Sequence, residues 1–359
     1  MKVKLPEEHG YFNIVPNTFC GIDCYLITPH IDAKWNKNNL FYRSLIIDKE
    51  GNVLSSGFPK FFNYGEKLDC YPDPEEFNDW RYEDKIDGSL LIVDYVNDAF
   101  SMRTRGTVSY KSQENAKDFE CLLEKYPKVV EFLKENQHLS ILFEIVTPNN
   151  VIVVRSQQIE FYLIGAINKN GMVVVSPQDL TDIWRKIGPI PSPQSYNFLD
   201  TNNLSKIAET IKKWKGKEGI VISYNNGQNR IKLKSDWYLF IHRVKSQLNS
   251  ESNLIEYYVD SVMPSYEEFY KKIETEFDFE IAVQLKDQIQ KICNSGEKAK
   301  KYIDHILEVV HDIRKVETRK DQAIMIKTNF KENSSFVFSV LDNKVITNHQ
   351  WIKLIHHFL

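Results

Sequence analysis

Lys85 is followed two residues later by Asp87-Gly88, and the chain then runs directly into the apolar stretch "SLLIVDYV". A lysine held on such a turn can act as a nucleophile once its amine is neutral, although an unperturbed lysine titrates near ~10.4. The pattern K-x-D-G is weak by itself, since ordinary residue frequencies place it somewhere in roughly five to ten percent of chains of this length. A solvated lysine beside a turn is the simpler alternative. Its partners downstream, taken in order, change that balance. Glu144 sits within "SILFEIVTP"; an unpaired buried carboxylate is costly, so burial statistics alone favour a solvent-facing side chain there. Glu218-Gly219 opens "EGIVIS", and Lys232 and Lys234 lie two apart in "IKLKSDWY". On a strand both lysines project from one face, where like charges repel unless anions lie between them. That points to a phosphate site; the alternative is an exposed edge strand that uses lysines to block aggregation.

A lysine nucleophile, two strand carboxylates and a lysine pair form a coherent set for nucleotidyl transfer. Neighbouring cations and partial desolvation would lower the attacking amine's pKa, and the same cations would neutralise charge developing on phosphate oxygens. A carboxylate can hold a hydrated Mg²⁺. Gly88 and Gly219 would let backbone approach a nucleotide where a side chain would clash. A P-loop enzyme is excluded, because no G-x-x-x-x-G-K-[ST] occurs.

The elements that must position these residues fall into two textures. Up to about Trp237, short β-rich runs alternate with turn signals. "RSLIIDKEGNVLSSG", "SLLIVDYVNDAFSMRTRG" and "EGIVISYNNGQNRIKLKS" read as hairpins turning at Lys49-Glu50-Gly51-Asn52, Asn97-Asp98 and Asn225-Asn226-Gly227. "LSILFEIVTP", "VIVVRS", "IEFYLIGAIN" and "MVVVSP" read as further strands, with helical patterns near 113–136, 177–187 and 203–215. Strands joined mostly by hairpins predict an α+β fold of antiparallel sheets with flanking helices, spanning 1–248. Beyond that, Ser265 to Lys331 contains one glycine and no proline, and Ile303, Ile306, Leu307, Val310 and Ile313 recur at helical spacing. A small all-helical domain over 249–359 is expected, with Gly296 as a stop between two long helices.

Composition allows this. The 359 residues are 42% hydrophobic and 13% aromatic, enough to bury one large core or two ordinary ones. The net charge of −3 does not exclude nucleic acid, which needs only a local basic surface. Five cysteines, with "CGIDC" the only close pair, lack a zinc-like ligand set and read as reduced thiols. The N-terminal "MKVKLPEEHGYF" lacks the apolar core of a signal peptide, and no apolar run approaches the ~18 residues of a membrane helix. A cytoplasmic protein is expected.

"KIDG", "FEIV", "EGIVI" and "IKLKS" resemble, in order, the nucleotidyl motifs of the polynucleotide ligases and mRNA capping enzymes. The closer resemblance is to the ATP-dependent RNA ligase 1 family of the phage tRNA-repair type. It rests on "YRSLIID", "PKFFNYGE" and "IKLKSDWYLFIHRVKSQL", covers roughly residues 40 to 250, and extends to the helical tail by architecture only. It implies that Lys85 becomes covalently attached to AMP, that Arg43 and Lys60 meet the ATP phosphates with Phe62 supporting that segment, and that Glu144 holds the ribose hydroxyls. It further implies that Glu218 binds the catalytic metal through water, that Lys232 and Lys234 contact the α-phosphate, and that Tyr238 occupies an important position of undefined role. This sequence departs from the pattern in three places. Arg105 replaces a lysine in the hairpin after the nucleophile, Ser44 replaces a glycine after Arg43, and no clean match exists for a second metal-binding carboxylate, for which Asp260 is the candidate.

The resemblance therefore implies an ATP-dependent RNA ligase that joins 5′-phosphate and 3′-hydroxyl ends. ATP would be its co-substrate, Mg²⁺ or Mn²⁺ its metal, and tRNA or single-stranded RNA ends its partners. A monomer in the host cytoplasm is implied for a phage-encoded chain. A DNA ligase or capping-type enzyme is the nearest alternative, but those follow the last motif with a β-barrel where this sequence has helical periodicity. A non-catalytic RNA-binding protein that keeps the fold is the other, and nucleotide attachment to Lys85 discriminates it.

Overall fold

The computed structural model describes residues 2–6, 11–66, 69–113, 116–149, 152–154, 156–198, 203–248, 250–276, 279–331 and 333–359. The chain divides into two compact units, Met1–Leu239 and Phe240–Leu359.

The first unit opens with an antiparallel sheet in chain order, β1 (Phe12–Phe19), β2 (Ile22–Pro29), β3 (Leu45–Asp48) and β4 (Val53–Ser56). The "CGIDC" stretch is the β1–β2 hairpin turn: Cys20 and Gly21 both carry positive φ, 50° and 77°, as a tight two-residue hairpin requires. Its cysteines are free thiols. Then follow β5 (Phe62–Asn63), β6 (Arg81–Asp84), β7 (Ser89–Val96) and β8 (Ala99–Arg103). Helices α1 (Ala116–Lys125) and α2 (Lys128–Glu135) lead to β9 (Leu139–Val146), β10 (Glu160–Asn168) and β11 (Val173–Val174). The unit continues with α3 (Pro177–Ile187), β12 (Ser195–Tyr196), α4 (Leu204–Lys212), β13 (Gly219–Tyr224) and β14 (Asn229–Lys234).

These strands form two five-stranded sheets, β11-β10-β9-β7-β8 and β12-β6-β13-β14-β5. Pairing is antiparallel as predicted, except that β5 lies parallel to β14 over two residues. In the first of these sheets β7 and β9 are covered on both faces. Leu91, Val93, Ile141 and Phe143 meet Phe119, Leu122, Val129 and Leu133 of α1 and α2, whereas Ile92 and Leu142 pack with Phe58 and Ile167 on the other side. Coverage on both faces explains why these strands read as continuous apolar runs instead of alternating ones. The hairpins predicted at Asn97-Asp98 and Asn225-Asn226-Gly227 are present, with positive φ at each of those residues. The run "VIVVRS" is not a strand. Residues 152–154 form bends, because the backbone N–H groups of Val153 and Val154 are taken by the Asp87 carboxylate, which removes them from any ladder. Residues 151 and 155 of that run lie outside the described residues.

The division between units falls within α5 (Asp236–Leu248). The second unit contains α6 (Glu251–Asp260), α7 (Tyr266–Glu276), α8 (Phe279–Gln284), α9 (Lys286–Ile313), α10 (Arg319–Asn329), α11 (Ser334–Leu341) and α12 (Asn348–Phe358). The long α9 carries the core stripe, with Ile289, Ile292, Ile303, Ile306, Val310 and Ile313 buried; Leu307, expected in that stripe, is 53% exposed. Gly296 does not stop a helix but lies inside α9. A Cβ at Gly296 would fall 2.6 Å from the Tyr258 ring of α6, so glycine is there to let two helices approach. Among the described residues no helix is long and apolar enough to cross a membrane.

Candidate active site

Lys85 lies on the short crossover between β6 and β7, where the chain passes from one five-stranded sheet to the other. Its backbone N–H donates to the Gly219 carbonyl at 2.9 Å, which ties the crossover to the start of β13. Its Nζ donates to Glu218 Oε2 at 2.9 Å, and Lys234 Nζ lies 2.8 Å from the other carboxylate oxygen. Glu218 is only 3% exposed, so one buried carboxylate is shared by two ammonium groups. The sharing follows from register: Gly219 pairs with Lys234 across β13–β14, which sets residue 218 beside the end of β14.

Asp87 is a buried hub. Its Oδ2 accepts from the Val153 and Val154 N–H groups, both at 2.7 Å, and its Oδ1 accepts from the Tyr238 hydroxyl at 2.8 Å. The Tyr238 ring in turn lies 4.8 Å from Lys234 Nζ. This gives Tyr238 and Asp87 a physical role that sequence alone left undefined: they join the crossover, the loop after β9 and the start of α5. Burial, foremost, then the neighbouring Glu218 and Asp87 carboxylates, raise the Tyr238 hydroxyl pKa above the usual tyrosine value, so it stays a donor.

The two glycines meet protein backbone. A Cβ on Gly88 would sit 2.4 Å from the Ile145 carbonyl oxygen of β9, and one on Gly219 would sit 2.0 Å from the Leu233 carbonyl oxygen of β14. Gly219 also has φ of +146°, a conformation open to glycine. At both positions neighbouring protein backbone by itself leaves no room for a side chain.

Glu144 on β9 pairs with Leu90 of β7 and Tyr162 of β10. The residue is half-buried, and burial pushes its carboxyl up to about 7, against the pull of Lys85 and Arg43. Arg43 closes a short 3-10 turn, Leu40–Arg43, just ahead of β3. Its guanidinium is lowered to about 10 by burial and by Arg105, while Glu144 opposes the shift. Lys60 is lowered by burial and then by Arg43 and Arg105. Lys232 is brought down to about 8 by burial and by Lys60, Lys234, Lys85 and Arg43. These mutual effects place Arg43, Lys60, Lys85, Arg105, Lys232 and Lys234 in one electrostatic neighbourhood. Because β14 is flanked by β13 and β5, Lys232 is not on an exposed edge, and the aggregation-blocking alternative fails.

Aromatic rings sit among these cations. Arg43 and Lys232 lie 5.2 and 5.8 Å from the Phe61 ring, and Lys60 lies 5.2 Å from that of Phe62 and 5.6 Å from that of Trp35. Phe61 was not singled out by sequence, although the adjacent "KFFNY" offered two aromatics for one role. A recess of about 240 Å³ opens beside Lys85, with Ile86, Val146, Val154 and Tyr162 among its lining. At its rim Asp84 accepts from the Tyr196 hydroxyl at 2.5 Å and from Lys217 Nζ at 3.1 Å, a polar network that no local pattern announced.

Asp260 belongs to the second unit, on α6, where Asn348 donates to its carboxylate at 2.9 Å. Among the described residues no group of three or more His, Cys, Asp or Glu side chains is placed to hold a metal. Glu218, with both side-chain oxygens turned into the cation cluster, is the donor that fits a hydrated divalent ion, which needs only one or two carboxylates when substrate phosphates supply the rest.

The sequence pattern of a family described as "RNA ligase" matches residues 42–249. A protein of Rhodothermus phage RM378 described as "RNA ligase" is 23% identical over 372 residues, covering 81% of this chain and 83% of its own length. Among solved structures, an archaeal ATP-dependent RNA ligase superposes with a TM-score of 0.46 at 14% identity, covering 79% of this chain and 73% of that one. A mutant Naegleria gruberi RNA ligase with ATP and Mn gives a TM-score of 0.43 at 15% identity over 52% of this chain, and the match spans 58% of the Naegleria chain.

Proposed function

The chain belongs to the RNA ligase family, and from that premise we propose that it uses ATP to join RNA 5′-phosphate and 3′-hydroxyl ends through a lysyl-AMP intermediate on Lys85. The observation that carries this reading is the placement of Lys85 Nζ on the buried Glu218 carboxylate, with Lys234 on the other oxygen and further cations around them.

In the first step the Lys85 amine attacks the α-phosphorus of ATP. A P–N bond forms, the bond to the bridging oxygen breaks, and pyrophosphate leaves. The ammonium must first lose a proton, and Glu218 Oε2 at 2.9 Å is the acceptor within reach. Lys232 and Lys234 neutralise the α-phosphate oxygens as charge shifts, and Arg43, Lys60 and Arg105 hold the outgoing phosphates. Glu144 accepts from the ribose hydroxyls, and the recess beside Lys85 receives the base. A divalent ion, Mg²⁺ or Mn²⁺, held by Glu218 through water would supply further charge neutralisation at the phosphates. An oxygen of the RNA 5′-phosphate then attacks the same phosphorus and releases Lys85. Finally the 3′-hydroxyl attacks the 5′-phosphorus and expels AMP. In-line positioning is the requirement at each step.

Incubation with α-labelled ATP and magnesium is expected to leave label on the protein. Absence of label on the wild type, or undiminished label on Lys85→Ala, would overturn the proposal. For the natural RNA we propose broken tRNA, with the helical second unit selecting it. Equal sealing of broken tRNA and linear single-stranded RNA would refute that selection.

A further inference from the structure

Arg43 and Arg105 come from distant parts of the chain and different sheets. Arg43 precedes β3, and Arg105 lies on the turn that follows β8. One buried hydroxyl connects them. Ser44, adjacent to Arg43 and 1% exposed, donates from Oγ to the Arg105 carbonyl at 2.8 Å, across 61 positions of sequence. The same Oγ accepts from Arg103 Nη1 at 2.8 Å, and Arg103 Nη2 donates to the Ser44 carbonyl at 3.2 Å. Arg103 is itself fully buried and held from behind. Its Nε donates to Ser55 Oγ at 2.6 Å, and that hydroxyl donates to Asp94 Oδ2 at 2.5 Å. The other Asp94 oxygen accepts from Ser140 Oγ at 2.5 Å and from Lys169 Nζ at 3.3 Å.

We propose that Ser44, seated on the buried Arg103, is a positioning residue that couples the backbone of Arg43 to that of Arg105, so that the two guanidinium groups are presented together to the pyrophosphate that Lys85 displaces from ATP. The inference rests on the ligase reading above. Its physical content is preorganisation: two exposed or half-exposed arginines on separate turns would otherwise lose conformational freedom each time a triphosphate binds. Fixing their backbones through a buried fork that makes four hydrogen bonds removes that cost before the ligand arrives. Ser44 and Arg105, two of the three departures from the resembled pattern, thereby lie at the two ends of one hydrogen bond, which Arg105 accepts through its backbone carbonyl.

The test is the rate of labelling by α-labelled ATP as a function of ATP concentration, measured for wild type, Ser44→Ala, Arg105→Ala and the double variant, with Ser44→Thr as the hydroxyl-retaining control. Ser44→Ala is expected to raise the ATP concentration for half-maximal labelling roughly three- to tenfold, the size set by one neutral hydrogen bond to the Arg105 carbonyl. The labelling rate at saturating ATP should change far less. In the Arg105→Ala background the same Ser44→Ala change should have little further effect, since the residue acts through Arg105. Ser44→Cys takes the place of Ser44→Ala if the latter does not fold. An unlabelled wild type would refute the ligase reading itself. A labelled wild type with unaltered half-saturation in Ser44→Ala, or a Ser44→Ala defect undiminished without Arg105, would overturn the coupling alone.

Discussion

Lys232 and Glu144 are strained in opposite senses. Lys232 carries a positive charge among other cations and is lowered to about 8, so at neutral pH it holds a proton at a cost. A phosphate-bearing ligand removes that cost and restores the ordinary lysine pKa, so binding between about pH 8 and 10.5 draws a proton from solution. Calorimetry of AMP binding near pH ~9, where the AMP phosphate is already fully ionised, in two buffers of different ionisation enthalpy, should show uptake of about one proton. That uptake should largely vanish in Lys232→Met; binding heats independent of buffer would contradict it. Glu144 is the converse, a carboxyl raised from 4.5 to about 7 by burial. The folded protein binds more protons than the unfolded chain within that window, so stability falls as pH rises through it. Glu144→Gln should therefore stabilise the ligand-free protein above pH ~8 by about 1–2 kcal/mol, and change little near pH ~4.5. Denaturant midpoints at the two pH values check it. Loss of stability at the higher pH would mean that Lys85 and Arg43 outweigh burial.

The elements matter chiefly through the crossover between β6 and β7. It is pinned by three contacts from outside its own sequence neighbourhood: the Lys85 N–H on Gly219, the Asp87 carboxylate on the loop after β9, and Tyr238 of α5. Gly219 tolerates no side chain, because both its φ and the Leu233 carbonyl forbid one. Gly219→Ala should cost about 3 kcal/mol or more through combined backbone strain and overpacking, lowering the denaturant midpoint and the yield of folded protein together. A variant of near wild-type stability would show that β13 and β14 can part at this end. The hairpins were legible beforehand because their turn residues carry the left-handed propensity of Asn, Asp and Gly. The "VIVVRS" loop was not, because its β-branched residues state a local preference that Asp87, far away in sequence, overrides.

For the whole molecule, every proposed site residue except Asp260 belongs to the first compact unit. The helical unit depends on the approach of α6 to α9 at Gly296. Gly296→Val should destabilise that unit by about 1–3 kcal/mol through overpacking against Tyr258. Labelling by ATP should survive in this variant while joining of RNA ends declines, the two activities being assayed on one preparation. Loss of both in parallel would show that the first unit does not carry the nucleotide step alone.

By itself the sequence determined the two textures, the hairpin turns, and the ordered lysines and carboxylates, all of which are written in residue type and short-range spacing. Periodicity and turn propensity act over a few residues, so a single chain displays them openly. Only the tertiary structure decided that Lys85 and Lys234 share Glu218, that Glu144 is half-buried with Lys85 and Arg43 nearby, and that Gly88, Gly219 and Gly296 serve contacts with distant backbone and ring atoms. It also decided that Ser44 reaches Arg105. Each of these is a relation between segments brought together by sheet register or helix packing. Burial and pairing, which set the charge states, exist only once those segments meet.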